Sequence, residues 1–172
     1  MKKLILLLSL FLLSCGQTTT SSDRIYDWQD RENICLDYPV LNQGIEISDL
    51  VNEIGAMLCW IDEHIQKVPD HEEYWQTSCE TIERGAGDCE DLAILLWSFL
   101  KDIGISANSN RIAIVCNTNT CHQVVTIYAE ITYLIDVSNI GIQRIYTIES
   151  FFIRYPQYKL MTEYNLYSTW SY

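Results

Sequence analysis

Three residues stand out for chemistry. Cys89, His122 and Asp136 bring a thiol, an imidazole and a carboxylate in the chain order nucleophile, base, orienting acid. The thiol lies in Gly85-Ala86-Gly87-Asp88-Cys89-Glu90-Asp91, ahead of an apolar run from Leu92 to Leu100. Two glycines make a tight loop, Asp88 suits a helix N-cap, and Cys89 then takes the first helical position. Unpaired N–H groups and the helix dipole at that end favour a thiolate. Asp88, Glu90 and Asp91 oppose this, because nearby negative charge raises a thiol's pKa. Their plain explanation is that acidic residues suit a helix N-terminus.

The elements that must position these groups follow from periodicity. Beyond Asp91 the chain is apolar on every side, which predicts a central helix buried in the core, Cys89 to Ile103, closed by Gly104. Upstream, Leu50, Ile54, Met57, Leu58, Ile61 and Ile65 predict a one-faced helix from Ser48 or Asp49 to about Gln66. Thr77-Ser78-Cys79-Glu80 reads as a capping box for a short helix ending at Gly85. Residues 23–47 read as mixed and irregular, with Tyr26 and Trp28 among the packing residues. After Gly104 the period becomes two, giving strands at Arg111–Cys116, Cys121–Tyr128 and Tyr133–Val137. A short helix over Thr147–Arg154 and an edge strand within Gln157–Tyr172 complete the chain. Helices first and a meander of strands after them predict an α+β domain with an antiparallel sheet. A turn near Ala129–Glu130 would then set Asp136 within a residue or two of the position opposite His122. His64 and His71 read as surface or packing groups.

The start of the chain reads as an export signal. Met1-Lys2-Lys3 is a basic n-region, Leu4 to Leu13 an apolar h-region, and Leu12-Leu13-Ser14-Cys15 looks like a bacterial lipobox. The expectation is a signal peptide over 1–14, a lipidated Cys15 with a polar tether to 22, and one domain over 23–172. Gly16 after the cysteine points to the outer membrane, with the periplasmic or exterior face left open. A formal net charge of -12 argues against a nucleic-acid partner and leaves the lipid on Cys15 as the membrane attachment. Export permits disulfides. Cys116–Cys121 is the expected pair, across the turn-like Asn117–Thr120, with Cys35–Cys79 a further candidate; Cys59, on an apolar helical face, is expected as a buried thiol.

The run Gly85-Ala86-Gly87-Asp88-Cys89-Glu90-Asp91-Leu92-Ala93 resembles the nucleophile motif of the transglutaminase-like superfamily, and more narrowly that of bacterial transglutaminase-like cysteine peptidases, periplasmic enzymes that clip surface adhesins. Tyr74-Trp75-Gln76-Thr77 resembles the segment leading into that motif, and His122-Gln123-Val124-Val125 and Leu134-Ile135-Asp136 match the strands carrying the family's His and Asp. The resemblance spans roughly Tyr74 to Val137. It implies a papain-like, transglutaminase-like core and a Cys89–His122–Asp136 triad that cuts peptide bonds of exported or surface proteins through a thioester. It also implies calcium beside the motif, for which Asp88, Glu90 and Asp91 supply hard oxygen ligands. The Cys89 backbone N–H would meet the oxyanion, aided by Trp75 or Gln76; Trp75 fits equally as a packing aromatic. Two alternatives stay open: a protein-glutamine transglutaminase or deamidase, and a non-catalytic binding lipoprotein with the same fold.

Overall fold

The computed structural model describes residues 21–35, 47–69 and 74–172. The expected signal peptide, Cys15 and His71 lie outside the described residues. The elements run α1 (Ser21–Cys35), α2 (Ile47–His64), β1 (Gln66–Lys67), α3 (Ser78–Arg84), β2 (Ala86–Gly87), α4 (Cys89–Asp102), β3 (Asn110–Cys116), β4 (Cys121–Ile127), β5 (Tyr133–Ile135), β6 (Ile145–Thr147), α5 (Ile148–Arg154), β7 (Lys159–Tyr164) and β8 (Thr169–Ser171). Strands β3 to β8 form an antiparallel sheet in the order β6-β5-β4-β3-β7-β8. This is the expected α+β arrangement of helices followed by strands.

Helix α4 is the hub. Leu92 is 3% exposed, and Ala93 to Trp97 and Leu100 are 0% exposed. Each large apolar side chain so buried stabilises the fold by roughly 1.5–3 kcal/mol. Alternation along the strands sends Ile112, Val125, Ile127 and Ile135 into the cluster around α4, and Ala113, Val115, Val124 and Leu134 into a second cluster with Phe151 of α5. Trp97 locks the helix to the sheet. Its Nε1–H donates to the Asn110 carbonyl at 2.9 Å, and Asn110 Nδ2 donates to the Trp97 carbonyl at 2.8 Å.

Three expectations change. Residues 21–35, read in part as tether and otherwise as irregular chain, form helix α1. Its inward face is Ile25, Trp28, Gln29 and Glu32, at helical spacing but half polar, so hydrophobic periodicity does not reveal it. Those polar groups are paired in the interior: Gln29 donates to the Asn165 carbonyl, and Glu32 accepts from the Ser78 N–H at 2.9 Å and hydroxyl at 2.6 Å. The segment after Pro156 makes two strands rather than one; β7 returns to pair with β3, and β8 forms the edge. Cys59 is an exposed free thiol, because the buried stripe of α2 runs through Ile54, Leu58 and Ile61 and passes beside it.

Cys116 and Cys121 are joined, with S–S 2.01 Å, and close the β3–β4 hairpin as expected. Cys79 is also disulfide-bonded, while Cys35 has its side chain outside the described residues.

Candidate active site

The approach to Cys89 is built from short, well-capped pieces. Thr77 caps α3 reciprocally with Glu80: the Glu80 N–H donates to Thr77 Oγ1 at 3.3 Å, and the Thr77 N–H donates to Glu80 Oε2 at 2.7 Å. Gly85 ends α3 at φ 63, a left-handed conformation that favours glycine. The chain then runs through β2, which pairs in parallel with β1 (Gln66 with Ala86, Lys67 with Gly87). Gly87 is required by contact: a Cβ there would lie 2.6 Å from Asp91 Cβ. Cys89 opens α4, as the capping pattern predicts.

Asp91 is the fastener of this corner. It is fully buried. It accepts from the Gln76 N–H at 2.8 Å, from the Gln76 side-chain amide, and from the Asp88 N–H at 3.1 Å. The Gln76 amide also donates to the Ala86 carbonyl at 3.3 Å. Trp75 is 4% exposed and stacks on Tyr164, ring centroids 5.4 Å apart. Both residues thus frame the site, Gln76 by holding Asp91 and Trp75 by packing.

Burial pushes the Asp91 carboxyl up to about 6, against the N–H donors that favour its charged form. The ordinary value is 3.8, so between these two pH values the folded chain holds more proton than the unfolded one. This group's contribution to stability is therefore complete below the unfolded value and is lost as pH rises through the folded one. Asp91→Asn, which mimics the protonated form, should gain in melting temperature relative to the parent as pH rises across that window. Parallel thermal melts at several pH values check this, and a constant difference would contradict it.

Cys89 is a free thiol. It donates to Glu90 Oε2 at 3.0 Å and accepts from the backbone N–H of Gln123 on β4. Burial, then the charge and hydrogen bond of Glu90, push the thiol up to about 12, while the Gln123 N–H acts in the opposite direction. The tension between carboxylates and thiolate is therefore real in this geometry. Asp88, Cys89 and Glu90 offer ligand atoms all within 4.8 Å of one another. Asp91 stands apart from that group because its oxygens are turned to Gln76 and Asp88 N–H donors.

His122 neighbours the Gln123 N–H that meets the thiol. Strand alternation puts its ring on the α5 side, 5.9 Å between centroids from Tyr158. The thiol thus meets β4 at the peptide beside His122 and not at the ring. Burial lowers the His122 pKa, and the charge of Asp136 raises it. The β4–β5 register pairs Val125 with Ile135, which sets Asp136 two residues from the position opposite His122, as the turn at 129–130 predicts. Asp136 is fully buried and accepts from the Ser138 and Gly141 N–H groups, each at 2.9 Å.

The family model of the bacterial transglutaminase-like cysteine proteinases matches residues 29–157. The chain belongs to this family. It is a cysteine peptidase-like enzyme with the transglutaminase-like fold. Three solved structures of Legionella pneumophila LapG resemble it. The calcium-bound form has a TM-score of 0.58 at 18% identity, covering 86% of this chain and 77% of LapG. A second structure has a TM-score of 0.59 at 19% identity, over 90% and 82%. The EGTA-treated form has a TM-score of 0.60 at 18% identity, over 91% and 81%. At such identity the likeness is one of fold. No curated protein matches the chain significantly.

In this family member several residues without a sequence signal complete the site. Gln123 supplies the N–H to the thiol, and the buried Tyr164 hydroxyl donates to its side-chain oxygen. Arg144 holds the Asp136 carbonyl at 2.7 Å while pairing with Asp62 of α2 at 2.8 Å. Apart from the Arg144–Asp136 contact, which spans eight residues, each joins segments far apart in the chain, so no local spacing announces it.

Proposed function

We infer that this peptidase cuts peptide bonds of exported or surface proteins with Cys89, His122 and Asp136. The observation that carries the reading is a free thiol at the start of a buried helix, beside the strand that bears His122. The reading requires the imidazole of His122, which lies against Tyr158, to come within hydrogen-bond reach of the thiol during the reaction. The imidazole then takes the thiol proton, with Asp136 fixing its charge and orientation. Sulfur attacks the peptide carbonyl, the amine leaves with the proton from His122, and water hydrolyses the thioester to an acid. The Cys89 backbone N–H is the oxyanion donor.

Asp88 and Glu90 would hold calcium, with Asp91 bracing the loop from behind. The donor chemistry fits: two carboxylates lie within 4.8 Å of one another's ligand atoms, one of them the 8% exposed Glu90. A bound cation there would offset the carboxylate charge on the thiol and draw Glu90 from it. Substrate class follows from the adhesin-clipping relatives it resembles, and Cys15 would tether the enzyme to the outer membrane.

The test is digestion of a purified surface adhesin by the full chain, read by mass spectrometry. A new internal N-terminus supports hydrolysis; a one-dalton shift or a cross-link would favour the glutamine-directed alternative. EGTA should lower the rate more than about tenfold, with recovery in calcium and not in magnesium, given the stricter geometry of the smaller ion. Indifference to EGTA would remove calcium from the reading.

A further inference from the structure

We propose that Lys67 is a positioning residue for the reaction, an ammonium clasp that holds the strand carrying His122 and the loop carrying Asp136 against the loop that carries Cys89. The proposal rests on the peptidase reading above.

The geometry starts at β1. Pairing of Lys67 with Gly87 fixes this lysine two residues ahead of the nucleophile, on the helical side of the site. The residue as a whole is exposed, yet its Nζ donates to the Ser138 carbonyl at 2.7 Å, on the sheet side. Ser138 is the meeting point of the other two parts. Its N–H donates to Asp136 Oδ1 at 2.9 Å, and its hydroxyl donates to the Gln123 carbonyl at 3.0 Å. Gln123 in turn follows His122 and offers its N–H to the thiol. One continuous chain of bonds therefore runs Lys67–Ser138–Asp136 and Lys67–Ser138–Gln123–Cys89. Ser138 links to Lys67 through a backbone carbonyl, so Lys67 contributes the replaceable half of that contact.

The charge matters as well as the hydrogen bond. Lys67 is within electrostatic range of Asp136 and Cys89, and His122 senses it. No salt bridge neutralises it among the described residues, although Asp136 and Asp62 both face it and Arg144 opposes it. The parallel clasp of Arg144 on Asp62 ties the same loop to α2. Arg144 holds the loop to the helix behind, whereas Lys67 holds it to the strand that leads into the nucleophile. A loose Asp136–Ser138 loop would leave His122 without a fixed partner, and small displacements at a reacting centre are expensive in rate.

The experiment measures capture of Cys89 by iodoacetamide in the full chain, resolved by peptide mapping so that exposed Cys59 serves as the internal control. In Lys67→Met the Cys89 rate should fall on the order of tenfold, toward that of His122→Ala, with Cys59 unchanged. Combining Lys67→Met with His122→Ala should cost no more than His122→Ala alone, because Lys67 acts through that residue. Lys67→Arg, which keeps charge and donor, should recover most of the rate. Lys67→Gln gives a second neutral variant should the methionine protein not fold. An unchanged rate in the neutral variants, or losses that add to those of His122→Ala, overturns the clasp while leaving the triad. A parent thiol that reacts no faster than in His122→Ala overturns the triad itself and the clasp with it.

Discussion

Cys89→Ala and His122→Ala should each reduce peptide-bond hydrolysis by at least about a thousandfold, and the double variant should lose no more than either single one. As it stands, the thiol is a poor nucleophile. Burial and Glu90 push it up to about 12, so at neutral pH it carries its proton. Only a base that removes the proton as attack proceeds makes the sulfur useful, and the base is useless without the sulfur. The two losses therefore overlap rather than add. Cys89→Ala leaves the Glu90 carboxylate without the thiol donor it has at 3.0 Å, so folding should be checked by melting as well as activity by turnover. Cys89→Ser with retained hydrolysis, or a His122→Ala enzyme within tenfold of the parent, would falsify the catalytic assignment. Asp136→Asn should fall between these and the parent, since its carboxylate also anchors the Ser138 and Gly141 N–H groups.

Trp97→Ala should cost about 4–6 kcal/mol of unfolding free energy, a large share of the roughly 5–15 kcal/mol that holds a typical domain together. Trp97 is fully buried at the centre of α4, edge-on to Trp28 at 5.8 Å between centroids. Removing the indole opens a cavity among helices and sheet and leaves the Asn110 carbonyl without its donor. The return bond from Asn110 Nδ2 survives, since it uses the Trp97 backbone. Trp97→Phe keeps most of the apolar volume and should cost only about 1–3 kcal/mol, the share of the orphaned carbonyl. Urea unfolding followed by far-ultraviolet circular dichroism measures both. A loss under about 2 kcal/mol for the alanine variant would show that α4 is not the hub its burial implies.

The legibility of the fold in the sequence was uneven, for reasons that differ by element. Helix α4 was plain because its apolar run has no exposed face to confuse it. The capping box at Thr77–Glu80 was equally plain, since its two bonds use residues three apart. Helix α1 was hidden because Gln29 and Glu32 occupy its inward face, and their partners, Asn165 and Ser78, are distant in the chain. The small β1–β2 pairing was hidden too, as two residues carry no period. The interior position of β7 depends on Glu163, which gathers Arg111, Thr126, Tyr128 and Tyr172 beneath the sheet.

The amino-acid sequence by itself determined the setting of Cys89, the helices α2 to α4 with the strands β3 to β5 after them, and the closeness of His122 to Asp136. All of these are local: capping, apolar runs, alternation and a turn act over a few residues. Tertiary structure decided what surrounds the thiol. It brought the Gln123 N–H and Glu90 to the sulfur, turned the Asp91 carboxylate to the N–H groups of Gln76 and Asp88, and carried Lys67 across to Ser138. Each of those depends on a backbone group or side chain delivered by another element. A hydrogen bond between elements is set by how cores pack, and packing depends on shapes that no spacing rule along the chain encodes.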